Sequence, residues 1–462
     1  MRKSVLALAL AVAFPAAFAQ GQMASGGVEL YGIIDVGYEN VDNGGSSVNR
    51  ISSGLSTGSR WGIRGREDLG SGYVALFTLE NRFEVDTGQV NNNGALITCP
   101  TVTVPGVPTP LPSCPGVKLV SPLPPTVAPS VTAGINAVNA SLLSAVSTVN
   151  SPNALFDRQA YAGLITPFGA VLAGRQYTPG YEALVKFNSF FDSFAGSPGQ
   201  LATINLRANN AIQYRAELKG FTLSAMYGFG GAEGTAGGRS ERPSVTRGDD
   251  FWGMNVQYAS SAFGVAAAYQ QNRTVTYAAP TENRKGLETF SVGGYVGFGS
   301  AKIFAHYLNA QNDNPVLRPA DIQNIVIGTG GNLAAITNIL GTQYINRFDV
   351  NSLRGVAGAT DLDVYHLGLE WSFNTGRLIA AYNHAEDSSR SEWATADAKV
   401  DSYGIAYYYY LSKRTWLYGA AALANNKDQA RAALGAACCV GGWTTAQGED
   451  SRNIQIGMRH TF

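Results

Sequence analysis

The last ten residues alternate without a break. Ile454, Ile456, Met458, His460 and Phe462 fall on one face of an extended chain, and Asn453, Gln455, Gly457, Arg459 and Thr461 on the other. Successive strand side chains point to opposite faces, so this is a strand with an oily side and a wet side. The same period recurs far upstream. Trp252, Met254, Val256 and Tyr258 oppose Gly253, Asn255 and Gln257. Tyr365, Leu367, Leu369, Trp371 and Phe373 oppose His366, Gly368, Glu370 and Ser372, while Tyr403, Ile405, Tyr407, Tyr409 and Leu411 oppose Ser402, Gly404, Ala406 and Tyr408. A soluble sandwich uses this alternation too, with its oily face inward. The rest of the chain has to decide between them.

The amino end is read as a secretory signal peptide over residues 1–19. Arg2 and Lys3 supply its positive region, Ser4 to Phe14 its apolar core, and Ala17-Phe18-Ala19 a small-x-small cleavage site before Gln20. No later segment approaches the ~20 apolar residues of a membrane-spanning helix. The expectation is an exported chain without a helical anchor, soluble or inserted as a barrel.

Composition favours the barrel. The chain holds 54 Gly and 22 Tyr, only 14% of it is charged, and its mean hydropathy is near zero. Half lipid-facing and half water-facing strand positions produce such a balance. Without Arg2 and Lys3 there are 31 basic against 33 acidic residues, so no basic excess points to nucleic acid. The polar strand faces include Arg, Glu and Gln, which suit a wet lumen better than a packed core.

Turn signals count the strands. Short turns stand at 69–72, 165–170, 218–221, 259–264, 298–302, 372–377 and 411–416, flanked by alternating runs. Longer polar stretches lie near 42–58, 84–156, 177–210, 230–249, 274–286, 312–360, 388–398 and 425–448. Seven short turns and eight long loops join sixteen strands, the second spanning 59–69. The expected fold is all-β: one transmembrane, sixteen-stranded antiparallel barrel over 20–462, its first and last strands pairing.

At this point the chain resembles the Gram-negative general porins, which are sixteen-stranded and trimeric. Val28-Glu29-Leu30-Tyr31-Gly32-Ile33-Ile34-Asp35-Val36-Gly37 is similar to that family's first strand. Ser59 to Gly70 resembles its second strand and first turn, and Ala173-Gly174-Arg175-Gln176 and Arg207 to Tyr214 bracket its third loop. Leu411 to Gly419 completes the set, together with Phe462, a terminal aromatic like the insertion signal of outer-membrane barrels. The resemblance implies an outer-membrane homotrimer among lipid and lipopolysaccharide, with short periplasmic turns and long extracellular loops. It also implies one water-filled pore per subunit for ions and small hydrophilic solutes, narrowed by an inward-folded third loop, and no cofactor. Here that loop is 177–210, and Phe187, Phe190, Phe191 and Phe194 give it apolar surface better tucked inward than left in water.

Strand parity sets Arg60, Arg64 and Arg66 opposite Trp61 and Ile63, hence toward the lumen. Arg175 is inward if Leu172 is outward, and Arg158 is inward if Tyr161 is outward. In anion-selective relatives, arginines cluster at positions matching Arg60, Arg158 and Arg207. Guanidiniums stay charged at any accessible pH, so such a cluster is a fixed positive step on an ion's path. Glu182 and Asp192 of the loop, with Glu80 on strand three, are expected to face it. That pair is sparser than the acidic motif usual in the family's loop. The bland alternative is that these arginines pair with wall carboxylates and only hold the loop in place.

Cys99 and Cys114 lie in the long Pro-rich second loop (84–156), and Cys438 and Cys439 in the last. A Cys99–Cys114 disulfide is the favourite, though four cysteines allow three complete pairings. Metal binding is a poor fit, because only four His occur and none is near these thiols. The stretch 115–150, with a helix expected over Ala137 to Val149, reaches over a neighbouring subunit if it follows the family. His306, His366, His384 and His460 lie scattered over four strands without a serine motif beside them, so no catalytic site is expected. Gly–Gly pairs read as turns rather than phosphate loops. Two other readings stay open: a substrate-specific channel, and a surface-structural or adhesive barrel with a plugged lumen.

Overall fold

Pairing begins where the chain ends. In the computed structural model, β1 (Gly27–Asp42) pairs antiparallel with β19 (Ser451–Thr461), Ile33 opposite Thr461 and Asp42 opposite Arg452. Phe462 closes the ladder through two backbone hydrogen bonds with Gly32, each 3.1 Å. Its ring lies on Gly32, where a Cβ would collide with it. The structure describes residues 26–44, 47–88, 101–102, 111–112, 155–190, 195–202, 204–229, 250–275, 283–312, 360–388, 398–428, 430, 432–434, 444 and 448–462. The signal-peptide segment, Asp192, most of the second loop and all four cysteines lie outside the described residues.

Between the ends run β2 (Val48–Ser53), β3 (Arg60–Gly70), β4 (Tyr73–Arg82), β7 (Gln159–Thr166), β8 (Gly169–Tyr177), β9 (Arg207–Leu218) and β10 (Phe221–Gly228). There follow β11 (Phe251–Ala259), β12 (Phe263–Val275), β13 (Asn283–Phe298), β14 (Ala301–Asn312) and β15 (Thr360–Phe373). β16 (Gly376–Asp387), β17 (Ala398–Tyr410) and β18 (Thr415–Asp428) complete the wall. A separate two-residue pair, β5 (Thr101–Val102) and β6 (Leu111–Pro112), lies in the second loop. These seventeen segments pair antiparallel around the wall, and because β2 and β3 share one position beside β1 the barrel closes with sixteen strands. The seven short turns fall where the sequence puts them. At one of them Lys219 and Gly220 both take positive φ (50° and 88°), the backbone of a tight hairpin.

The second strand departs from expectation. Residues 42–58 read as a loop, yet β2 pairs with the upper half of β1 and β3 with the lower half. Between them, Gly54 to Ser59 tuck into the lumen around Asp35. That carboxylate accepts from the amides of Ser56 (3.3 Å) and Thr57 (3.1 Å) and from the Tyr418 hydroxyl (2.6 Å). Leu55, fully buried, packs with Phe190, Ile379 and Tyr408. Gly54 opens the tuck with a φ of +74°, a conformation that favours glycine.

The outward face is apolar, with Val256, Ile405 and Ile456 more than half exposed. Toward the long-loop end it carries a girdle of rings that donate to the first polar side chains beyond them. Tyr307 donates to Asp363 (2.6 Å), Tyr382 to Asp401 (2.7 Å), Tyr38 to Asn49 (2.6 Å) and the Trp252 indole to Gln271 (3.3 Å). Amphipathic rings of this kind mark a lipid–water boundary.

Candidate functional site

The third loop crosses the lumen. Thr178 caps a short helix, α1 (Pro179–Lys186), its hydroxyl accepting from the Tyr181 amide while donating to the Asn205 carbonyl (2.5 Å). Pro179 at the first helical position suits this start. Inward polar residues of the wall hold the helix. The Gly180 amide donates to Gln270 (3.0 Å), Asn255 donates to the Pro179 carbonyl (2.8 Å), and Lys186 donates to Gln257 (3.0 Å). Ala183 and Phe187 bury against Ala266, Ala268 and Tyr295.

The loop then reaches β15–β17. The Ser189 amide donates to Nε2 of His366 (3.2 Å), and Asn383 holds Nδ1 of that ring (2.7 Å) while donating to the Gly196 carbonyl (2.9 Å). Gly196 lies flat on Gly404: a Cβ on either would meet the other's Cα at 2.6–2.8 Å. An inward third loop is thus fixed to two stretches of wall.

Across from those anchors stands a cluster of guanidiniums. Arg60 of β3, Arg82 of β4, Arg158 just before β7 and Arg207 at the start of β9 are all at most 5% exposed. Glu80 lies among them. It pairs with Nε of Arg158 at 2.8 Å and accepts from Tyr31 at 3.1 Å. Arg158 also donates to the Tyr177 hydroxyl (2.5 Å), and the Arg207 guanidinium lies 4.9 Å from the centre of that ring. Tyr177 in turn stacks on Tyr181 of α1, 5.0 Å between centroids. The arginines and the loop therefore meet at one level of the lumen. Arg60 is fixed by the Gly58 carbonyl and the Thr57 hydroxyl, 2.9 Å each, both from the inward tuck. Asp157 accepts from the Arg82 amide at 2.9 Å, and Glu84 lies beside the same arginine. Three carboxylates stand among these four guanidiniums, and Arg175, beside Arg207, Asp157 and Arg158, adds a fifth positive charge close by.

The other sequence candidates lie elsewhere. Arg64 pairs with Glu29 (2.7 Å) nearer the short-turn end, and Arg66 is half-buried beyond it. Leu172 packs inward with Val74, Tyr161, Ile165 and Ala170, so the condition for an inward Arg175 is not met. Arg175 instead donates to the Asp157 carbonyl (2.6 Å) and to Asn209. Tyr161 is inward too. Arg158 nonetheless enters the cluster because it precedes the regular pleat of β7, where strand parity does not apply. Glu182 does not face the arginine cluster. It pairs with Arg215 at 3.0 Å, which also holds Glu217 at 2.8 Å. Burial raises the Glu182 carboxyl above its ordinary value against the pull of Arg215, and burial beside Arg215 lowers the Lys186 ammonium.

Sequence reasoning missed Arg82, Tyr177, Tyr31 and Arg215. Arg82 was within reach, since it stands two residues after Glu80 and therefore on the same strand face.

The profile of the Gram-negative porins matches residues 7–429. This chain belongs to that family. It is accordingly an outer-membrane protein, with its short turns on the periplasmic side and its long loops outside. Outer membrane porin protein 32 of Delftia acidovorans is 25% identical over 475 residues, covering 100% of both chains. An outer-membrane porin of Bordetella pertussis is 40% identical over 111 residues, 21% of this chain and 28% of that one. Among solved structures, an anion-selective porin from Comamonas acidovorans superposes with a TM-score of 0.59 at 21% identity, over 95% of this chain and 100% of that one. A trimer form of OmpT from Vibrio cholerae gives 0.55 at 14% identity, over 95% and 100%. These likenesses are of fold.

Proposed function

We propose that this porin passes ions and small hydrophilic solutes by passive diffusion, with a modest preference for anions. The observation that carries the reading is the cluster of Arg60, Arg82, Arg158 and Arg207 at the level of the inward loop, where guanidiniums outnumber the carboxylates Glu80, Asp157 and Glu84. The whole chain is nearly neutral, so its net charge cannot set the preference. Charge at a narrow point, between low-dielectric walls, acts where screening is weakest. A channel selective by charge needs no catalytic group, and the histidines fit other work: His366 anchors the loop and His384 pairs with Asp401 at 2.9 Å.

We further propose that three copies associate through the outward face of β3–β9. Ala160, Ala162, Val171, Ala173 and Ile212 form a small or apolar patch there, bordered by Trp61, Phe77 and Tyr214. Small residues let two walls approach closely. The remainder of the wall would meet outer-membrane lipid and lipopolysaccharide.

Planar-bilayer recording in a salt gradient tests the reading. Step conductances with a reversal potential on the anion side are expected. A cation-side potential, or a barrel that never conducts, would refute it.

A further inference from the structure

The lumen holds a second inward segment, in the last long loop. Porin interiors are polar as a rule. Yet the extracellular half of the wall on β14–β17 turns Leu308, Ala310, Leu362, Val364, Ala385 and Val400 inward, each at most 2% exposed. The outward face of the same strands is also apolar, so these strands need cover on both sides. The third loop supplies part of it with Leu184, Ala195 and Leu201. The same buried cluster takes in Ala398 and Ala424 of the wall and Ala430, Ala432 and Leu434, just past the end of β18.

This stretch is strapped to the inner wall by side chains on the inward parity. Asn426 brackets Ala432, donating to its carbonyl (2.8 Å) and accepting from its amide (2.9 Å), and donates again to the Glu449 carbonyl (2.7 Å). The Leu434 amide donates to the Ser451 hydroxyl (2.8 Å). Backbone bonds fasten Ala430, whose amide donates to the Lys427 carbonyl (3.0 Å) and whose carbonyl accepts from the Gly448 amide (2.9 Å). A loop lying over water has no need of such partners, because water would satisfy its amides. Here wall residues do so, and the apolar side chains close the lining.

We infer that Ala430, Ala432, Ala433 and Leu434 form a second constriction element, a fixed inward strap that, with the third loop, sets the size limit of the pore. It fills the lumen on the β14–β18 side and confines permeating ions to the arginine-lined side. The strap therefore shapes both what fits and how strongly charge sorts it. This inference rests on the channel reading.

Two mild variants test it, Asn426→Ala, which removes the bracket on Ala432, and Leu434→Ser, which removes the apolar anchor. Each is compared with the parent by single-channel conductance, by liposome swelling with sugars of increasing size, and by reversal potential. Conductance should rise by about 1.5-fold or more as the lumen widens. Larger sugars should enter, and the anion preference should weaken because ions gain a path away from the arginines. A purely structural role would lower thermal stability and leave sugar size and selectivity alone. Folded variants with the parent's conductance, sugar limit and reversal potential overturn the strap. A parent that forms no channel overturns the function itself, and the two failures cannot be confused.

Discussion

Two halves of the lumen solve opposite problems. On β14–β17, Leu362, Val364, Ala385 and Val400 face inward without charge, and chain segments cover them. Across the lumen, Glu80 and its neighbouring arginines face inward on β3, on β4, just before β7 and on β9. An apolar inner wall left wet would forfeit roughly 25 cal/mol for each Å² exposed, so it recruits loops. A charged inner wall instead satisfies its groups with one another, as Glu80, Arg158 and Tyr177 do, and its surplus charge acts on ions in the neighbouring lumen. The difference teaches that inner-wall composition decides where the aqueous path can run.

The largest test breaks the apolar half. Val400→Asp puts a carboxylate at a fully buried site among Leu362, Ala385 and Ala424. An uncompensated buried charge costs on the order of 3–5 kcal/mol, so unheated gels should show loss of the folded barrel. Glu80→Gln strikes the charged half. Arg158, 0% exposed, would lose its ion-pair partner, at a cost of about 3 kcal/mol. The barrel should still assemble but melt earlier, and its reversal potential should move further to the anion side.

Smaller changes sharpen the contrast. Gly404→Val drives a side chain into Gly196 and Phe190, and overpacking of this kind costs about 1–3 kcal/mol. Lower thermal stability and noisier open-channel current are expected, with selectivity preserved. Arg66→Gln should do least, within about 0.5 kcal/mol, because Arg66 stands near the periplasmic end, away from the cluster. A large change in its reversal potential would show that selectivity is spread along the lumen rather than held at the cluster.

Much of this was legible in the sequence because alternation and turn chemistry are local. Trp252 to Tyr258 and Tyr403 to Leu411 declare their faces, and seven turns declare the hairpins. Phe187 and Phe190 of the third loop announce its burial. Parity failed where the backbone leaves the pleat, as at Arg158, and the polar stretch 42–58 read as one loop hid the strand Val48–Ser53 and the inward tuck after it. The strap had a signal that period-two reading overlooks. Val364 and Val400 are apolar on the face that should be wet, and Ala430, Ala432, Ala433 and Leu434 supply an apolar run to meet them. The pairing of Glu182 with Arg215 depends on where α1 docks, which no local pattern encodes.

The central claim is that the arginine half sets the ion preference. Its most direct test is the reversal potential of an Arg60→Gln, Arg82→Gln variant, which leaves the Glu80–Arg158 pair intact. Recordings at 0.1 M and 1 M salt bracket Debye lengths of ~10 Å and ~3 Å. The potential should shift toward the cation side at low salt, much less at high salt, with conductance still large. A variant that keeps the parent's reversal potential at low salt would contradict the account.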